Sequence, residues 1–174
     1  MNTKNLLLIL IVSTVVLVAR FLPHWPNFSP LASVILFSGV YAKNKKYIIL
    51  PFIALLFSDF FIGFYHWGIM LSVYGSFAII ALFGLTLKKH KNIVNTISAS
   101  LGSALFFFCL TNLAVWFFGN WYTHDFAGLT LSYTLAIPFF KNTIMSNLLY
   151  TGLLFGSYET LRHLIKNPSL LFNK

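Results

Sequence analysis

The feature that most constrains this chain is where its charge is missing. Six apolar runs, Leu6–Leu22, Leu31–Ala42, Tyr47–Phe64, Gly68–Leu87, Ile93–Phe118 and Thr143–Leu161, hold three charged residues among them, Arg20, Asp59 and Glu159. Short basic clusters separate the runs. A helix crosses hydrocarbon with roughly 20 apolar residues, and roughly 17 suffice, so most of these runs are long enough to cross a bilayer. Composition closes the alternatives. Of 174 residues, 58% are hydrophobic and 9% charged, where a soluble domain carries about 25% charged residues. A chain this small cannot hide that much apolar surface in water, and such an apolar chain is not disordered. The expectation is an all-α integral membrane protein, a single bundle of six transmembrane helices over residues 1–174.

The first run follows Lys4 and resembles a signal peptide. It ends in Arg20-Phe21-Leu22-Pro23 with no small-x-small cleavage site, so it is expected to remain as the first span. The second run is short. It follows Pro23-His24-Trp25-Pro26-Asn27-Phe28-Ser29-Pro30, and helical turns drawn from Pro26–Pro30 would lengthen it.

Orientation follows from the basic residues. Six spans put both termini on one side. That side collects Lys4, Lys43, Lys45, Lys46, Lys88, Lys89, Lys91, Arg162, Lys166 and Lys174, and the other holds only Arg20 and Lys141. Ten against two predicts cytoplasmic termini. The apolar stretch Leu129–Phe140 would reverse the tail if it spanned. It is short and broken by Pro138, so it is expected as a short interfacial or partly buried helix within an outer loop Gly119–Asn142.

Helices in lipid meet where small residues permit close approach. Gly152 and Gly156 are spaced as GxxxG, and Ser98/Gly102, Ala99/Ser103, Ser100/Ala104 and Ser72/Ser76 share that spacing. These faces are expected to pack inside the bundle, with an oligomer contact through Gly152/Gly156 as the alternative.

Polar chemistry gathers on the outer side. The candidate ligand-binding residues are Arg20, His24, Asn27, Asp59, Tyr74, Asn112, Trp116, Lys141, Asn142, Asn147 and Tyr150. Asp59 is the sharpest, because an acid within a span costs ~2.5–3.5 kcal/mol near its centre and usually faces a cavity or a partner. It either touches a ligand or a proton, or pairs with Arg20 or Lys141. Asn112 and Trp116 share one helix face, as do Thr143, Asn147 and Tyr150. Buried amides need partners, which are either each other or a ligand's polar edge.

Other classes find little support. The outer histidines His24, His66 and His124 lack metal-ligand spacing, and a lone Cys109 makes no metal or disulfide framework. No GxSxG, HExxH, P-loop or CxxC is present, so neither enzyme activity nor a cofactor is implied. The net charge of +9 is accounted for by topology clusters, and no nucleic-acid partner is expected.

Several motifs in order carry a resemblance. They are Arg20-Phe-Leu-Pro-His-Trp-Pro-Asn-Phe-Ser-Pro30 with Leu36-Phe37-Ser38-Gly39, Pro51 with Ser58-Asp59, and Tyr74-Gly75-Ser76-Phe77. Thr111-Asn112 with Trp116, Pro138-Phe139-Phe140-Lys141-Asn142-Thr143, Asn147-Leu-Leu-Tyr150-Thr151 and Phe155-Gly156 complete them. The chain resembles a family of small uncharacterised bacterial membrane proteins described as candidate transport proteins. More distantly, its size and helix count resemble the substrate-binding S components of energy-coupling-factor vitamin transporters. That resemblance implies a membrane-embedded binding protein open to the outside, working with a transmembrane coupling subunit and ATPases. The function expected is binding or uptake of a small, vitamin-like or micronutrient molecule in an outward polar pocket. The alternative is a structural or assembly membrane protein without a ligand.

Overall fold

The computed structural model describes residues 3–23 and 25–167, with side chains from residue 6 onward. The expectations for His24 and Lys174, and for the side chain of Lys4, lie outside the described residues. Among the described residues the fold is all helical and contains no strand. The elements are α1 (Thr3–Phe21), α2 (Leu31–Tyr41), a 3-10 turn (Lys45–Ile48), α3 (Ile49–Ile62), α4 (Trp67–Leu87), α5 (Ile93–Phe118) and α6 (Phe126–Lys166). Two of them, α4 and α5, are long and apolar enough to cross a membrane.

Side-chain caps set several of these boundaries by satisfying first-turn amides. Asn92 accepts from the Asn95 amide at the start of α5, Asp125 from Gly128 at α6, and His66 Nδ1 from Gly68 at α4. Before α2 the prolines keep the chain irregular. Residues 25–30 form a turn, with the Phe28 amide donating to the Trp25 carbonyl, and Asn27 takes the left-handed φ of 59° that asparagine tolerates. The expected helical extension through Pro26–Pro30 is therefore absent, because each proline lacks the amide a helix would use.

Every residue of α2 is buried. With 11 residues it is about 16 Å long, roughly half the hydrocarbon thickness, and it forms the axis of the core. It runs beside α4 in the same direction, and the two backbones nearly touch. A Cβ on Gly39 would sit 2.7 Å from the Ala81 carbonyl oxygen, and one on Gly84 would sit 2.5 Å from that of Leu36. The closest helix crossing thus uses Gly39 and Gly84. A Cβ on Gly152, Gly156 or Gly102 would meet nothing within 4 Å. The expected internal packing at Gly152/Gly156 is not what the fold does with them; they face open space.

The second correction concerns α6. The stretch expected as a separate interfacial helix is continuous with the last apolar run, giving one helix of 41 residues. Pro138 lies inside it. Proline removes one backbone hydrogen bond, but this half of α6 is held against α5. The Tyr133 hydroxyl donates to the Cys109 carbonyl, and Phe140 stacks on Phe108 with ring centroids 4.4 Å apart.

A hydroxyl and amide knot joins α2, α5 and α6. Ser33 donates to the Asn147 carbonyl, the Asn147 side chain to the Ser100 carbonyl, and the Thr151 hydroxyl lies 3.1 Å from the hydroxyls of both Ser33 and Ser100. All four residues are buried. The buried amide expected to seek partners between helices has found them.

The two ends of the bundle differ in chemistry. The lysine end holds Lys43–Lys46, Lys88–Lys91 and the C-terminal end of α6. The arginine end holds the C-terminal ends of α1, α3 and α5, with Arg20 among them.

Candidate functional site

Because α2 begins deep in the bundle, the space above its first turn is left to other elements. A half-open cavity of about 390 Å³ lies there, at the arginine end. Leu31 and Ala32 of α2 form its floor. Val73 and Phe77 of α4 and Phe107 of α5 make an apolar wall, with the Phe77 and Phe107 rings stacked at 5.1 Å. Thr143, Ser146 and Asn147 of α6 face them as a polar wall. Arg20, Asn27, Ser29, Ile62 and Tyr65 surround the mouth. A few polar groups on a largely apolar lining is the usual make-up of a small-molecule site.

Arg20 is the single charged lining residue. Its Nη2 donates to Asp59 Oδ1 at 2.5 Å, and the Tyr74 hydroxyl donates to Asp59 Oδ2 at 2.8 Å. These contacts tie α1, α3 and α4 together. The Asp59 side chain is 2% exposed and Arg20 is 23% exposed. Asp59 therefore sits behind the cavity and holds Arg20 at its edge. Of the two expected partners for Asp59, the structure selects Arg20; Lys141 is exposed and makes no ion pair among the described residues. Arg20 Nε is buried and has no hydrogen-bond partner among the described residues. Tyr65, beside the pair, has its hydroxyl pushed up to about 12, first by burial and then by the Asp59 charge. It stays protonated at neutral pH and is available as a donor.

The polar wall has a defined hydrogen-bond sense. The Thr143 hydroxyl donates to the Phe139 carbonyl, and that of Ser146 donates to the Thr143 carbonyl. A carbonyl can only accept, so both hydroxyl hydrogens point into the helix backbone. The same logic orients Asn147, whose amide nitrogen faces the Ser100 carbonyl at 3.3 Å.

The structure thus brings Arg20, Asn27 and Asn147 to the cavity and places Asp59 and Tyr74 directly behind Arg20. The other expected site residues that are described, Asn112, Trp116, Lys141, Asn142 and Tyr150, are not among the lining residues. Asn112 donates to the Phe108 carbonyl within α5, and the Trp116 indole donates to the Thr123 carbonyl beyond it. Asn142 donates to the Pro26 carbonyl and anchors the irregular segment, while Tyr150 packs edge-on against Phe28. Ser29, Tyr65, Thr143 and Ser146 line the cavity without having been singled out as site residues. Thr143 carried a signal, since it shares the Asn147 face. The apolar liners carried none, because a Phe in a cavity wall reads like any Phe in a core.

A larger groove of about 740 Å³ runs along α5 and α6 at the lysine end, over Gly152, Gly156 and Ile93. It is lined chiefly by α5 and α6, with Tyr41 of α2 and Lys91 beside them, and Ile93 is 79% exposed. Among the described residues no group of three or more His, Cys, Asp or Glu stands together to hold a metal ion.

These features define an all-helical bundle with an internal, ligand-sized cavity at one end. Residues 1–170 match the family of unknown function DUF6580, and the chain belongs to that family. No curated protein and no solved structure matches it.

Proposed function

We propose that the chain is a six-span protein of the bacterial cytoplasmic membrane, with both termini inside, that binds a small molecule from the outer face for uptake. The observation that carries this reading is the cavity above the half-length helix α2. Irregular backbone such as residues 25–30 is tolerated at membrane depth only where protein buries it or where it lines a cavity, and Asn27 and Ser29 of this segment line one.

Two further observations support the membrane placement. Large apolar side chains cover the outside of the bundle, including Leu7, Ile11 and Val15 on α1, Ile53 and Phe60 on α3, and Leu131, Leu135 and Leu153 on α6. Contiguous exposed apolar surface on this scale marks a membrane or partner contact. The basic clusters fall at the end opposite the cavity, so the positive-inside rule aims the cavity outward. No phosphate-binding loop lies in the chain, so active uptake requires an energy source outside it. A transmembrane coupling subunit with ATPases, as the resemblance implies, would supply that.

The test is thermal stabilisation of the detergent-solubilised protein across a broad library of metabolites, since a bound ligand stabilises by RT ln(1 + [L]/Kd). At least one compound is expected to raise the melting temperature. Val73→Trp, which fills the cavity from its apolar wall, is expected to abolish that shift while the variant itself melts normally. A library with no stabilising compound would favour a structural or assembly role instead.

A further inference from the structure

We propose that the cavity selects small carboxylic acids that also carry N–H donors, with the carboxylate at Arg20 and the N–H edge against α6. This rests on the reading of the cavity as a binding site, and follows from which hydrogen-bonding atoms are still free there.

The α6 wall is an acceptor surface. Thr143 and Ser146 direct their hydrogens to backbone carbonyls, and Asn147 directs its amide nitrogen to Ser100. What remains for a ligand is two hydroxyl oxygens, the Asn147 Oδ1 and the second hydrogen of its amide, so acceptors outnumber donors three to one. A ligand that offered only acceptors there would bury unpaired oxygens on both sides and be rejected. N–H donors pair with all three.

The opposite side is a donor surface. Asp59 engages Arg20 through Nη2 and its other oxygen is taken by Tyr74; Arg20 Nε is buried, so the edge left to a ligand is Nη1, which makes no hydrogen bond among the described residues. No acid lines the cavity, so a carboxylate entering it meets no like charge on the wall. The floor adds to this, because the first residues of α2 lie there and a helix N-terminus favours negative charge. A carboxylate at the free guanidinium edge makes a charge-assisted hydrogen bond, sharing Arg20 with Asp59 behind it. Between the two surfaces, Val73 and the stacked Phe77 and Phe107 accommodate a compact apolar body.

The experiment compares compounds at equal concentration on the full chain in detergent by thermal shift and by titration. Orotate and hydantoin-5-acetate carry both features, benzoate and hexanoate only the carboxylate, and uracil and hydantoin only the N–H edge. 1,3-Dimethyluracil carries neither. The compounds with both features are expected to bind about tenfold or more tighter than those with one, the magnitude expected for one hydrogen bond to a charged group. Thr143→Val keeps shape and removes one acceptor; it is expected to weaken orotate binding while leaving benzoate unchanged. Strongest binding by a one-feature compound, or equal loss of orotate and benzoate in Thr143→Val, overturns the proposed class and leaves the cavity reading intact. The same holds if all seven compounds fail while the broad library yields a neutral or cationic binder. Failure of these compounds and of the whole library overturns both.

Discussion

The two ends of the molecule solve the same problem with the same three groups and different surroundings. At the arginine end, Asp59 receives one base, Arg20, and one tyrosine hydroxyl, Tyr74. At the lysine end, Glu159 receives Lys91 and the Tyr41 hydroxyl, with Arg162 Nη1 4.0 Å away. The Asp59 side chain is 2% exposed, whereas that of Glu159 is 40% exposed. Composition of the cluster is thus nearly constant, and burial is the variable. Burial decides what each cluster is for. The exposed cluster fastens α2, the link between α4 and α5, and α6 where water competes for every charge. The buried one closes the wall behind a cavity and leaves part of a guanidinium facing it.

The sharpest way to break this comparison is to neutralise Asp59. Removing one partner of a buried pair leaves the other uncompensated, at a cost of about 3–5 kcal/mol. Asp59→Asn is expected at the lower end of that range, because Arg20 retains some contact with solvent. Replacing both partners, as in Arg20→Met with Asp59→Leu, is expected to recover most of the loss. Melting of the two variants in detergent checks this. Equal destabilisation of single and double variants would show that Arg20 and Asp59 are not held chiefly by each other.

The tyrosines give a finer contrast. Tyr74→Phe removes a hydrogen bond to a buried charge, expected to cost about 1.5–3 kcal/mol. Tyr41→Phe removes its counterpart from a half-exposed acid. The Tyr41 ring keeps its packing against Phe37 and Tyr158, so the loss is expected to be smaller than for Tyr74. Chemical denaturation or melting of the pair measures the order; a reversed order would mean that burial is not the controlling variable.

How much of this was legible in the sequence follows the same division. Charge placement showed the apolar runs, the helical class and both acids within those runs, because an ionisable residue among apolar ones is conspicuous. The apolar run of α2 was legible, but its first residue was not: helical turns were expected from Pro26–Pro30, where the prolines lack the amides a helix would use and the chain is irregular. What could not be read was depth. A short apolar run looks alike whether it spans or stops halfway, and the cavity exists because α2 stops. α6 misled for the opposite reason. Pro138 reads as a break, but Tyr133 and Phe140 supply contacts to α5 that outweigh one lost backbone bond. Gly152 and Gly156 have the spacing of a helix contact, while the contact itself is made at Gly39 and Gly84, one glycine on each helix. Local spacing reports what a face permits, and only the partner decides whether the face is used.

Glu159 sharpens the comparison from the weak side. Glu159→Gln is expected to cost no more than about 1 kcal/mol, the scale of an exposed pair. That cost should shrink as salt is added, since exposed charges are screened within roughly 10 Å at moderate ionic strength. The Asp59→Asn loss should persist in the same salt. Melting both variants across a salt series is the check. A Glu159→Gln loss as large and as salt-resistant as that of Asp59→Asn would erase the distinction between the ends.

The smallest expected effect belongs to the third acid, Asp125, which is fully exposed and makes no ion pair among the described residues. Its carboxylate accepts from the Gly128 amide at 2.7 Å and from the Thr123 hydroxyl at 2.8 Å. The Gly128 amide, and then the Thr123 hydroxyl, hold its pKa below the ordinary aspartate value. A group whose folded pKa is lowered adds stability above its unfolded pKa, and that contribution is lost as pH falls through the folded value. The start of α6 should therefore be firm at neutral pH and fray only in acid below the usual aspartate range. Hydrogen exchange at the Gly128 amide reads this directly. Asp125→Asn keeps an acceptor oxygen for the cap but cannot titrate, so its exchange rate, after correction for intrinsic chemistry, should lose the acid-dependent rise seen with Asp125. Because the cap touches neither ion-pair cluster, the global melting temperature should barely move. A large global loss in Asp125→Asn would mean that the first turns of α6 are part of the same cooperative unit as the cavity wall at Thr143 and Asn147, and that the arginine end extends much further along α6 than its ion pair does.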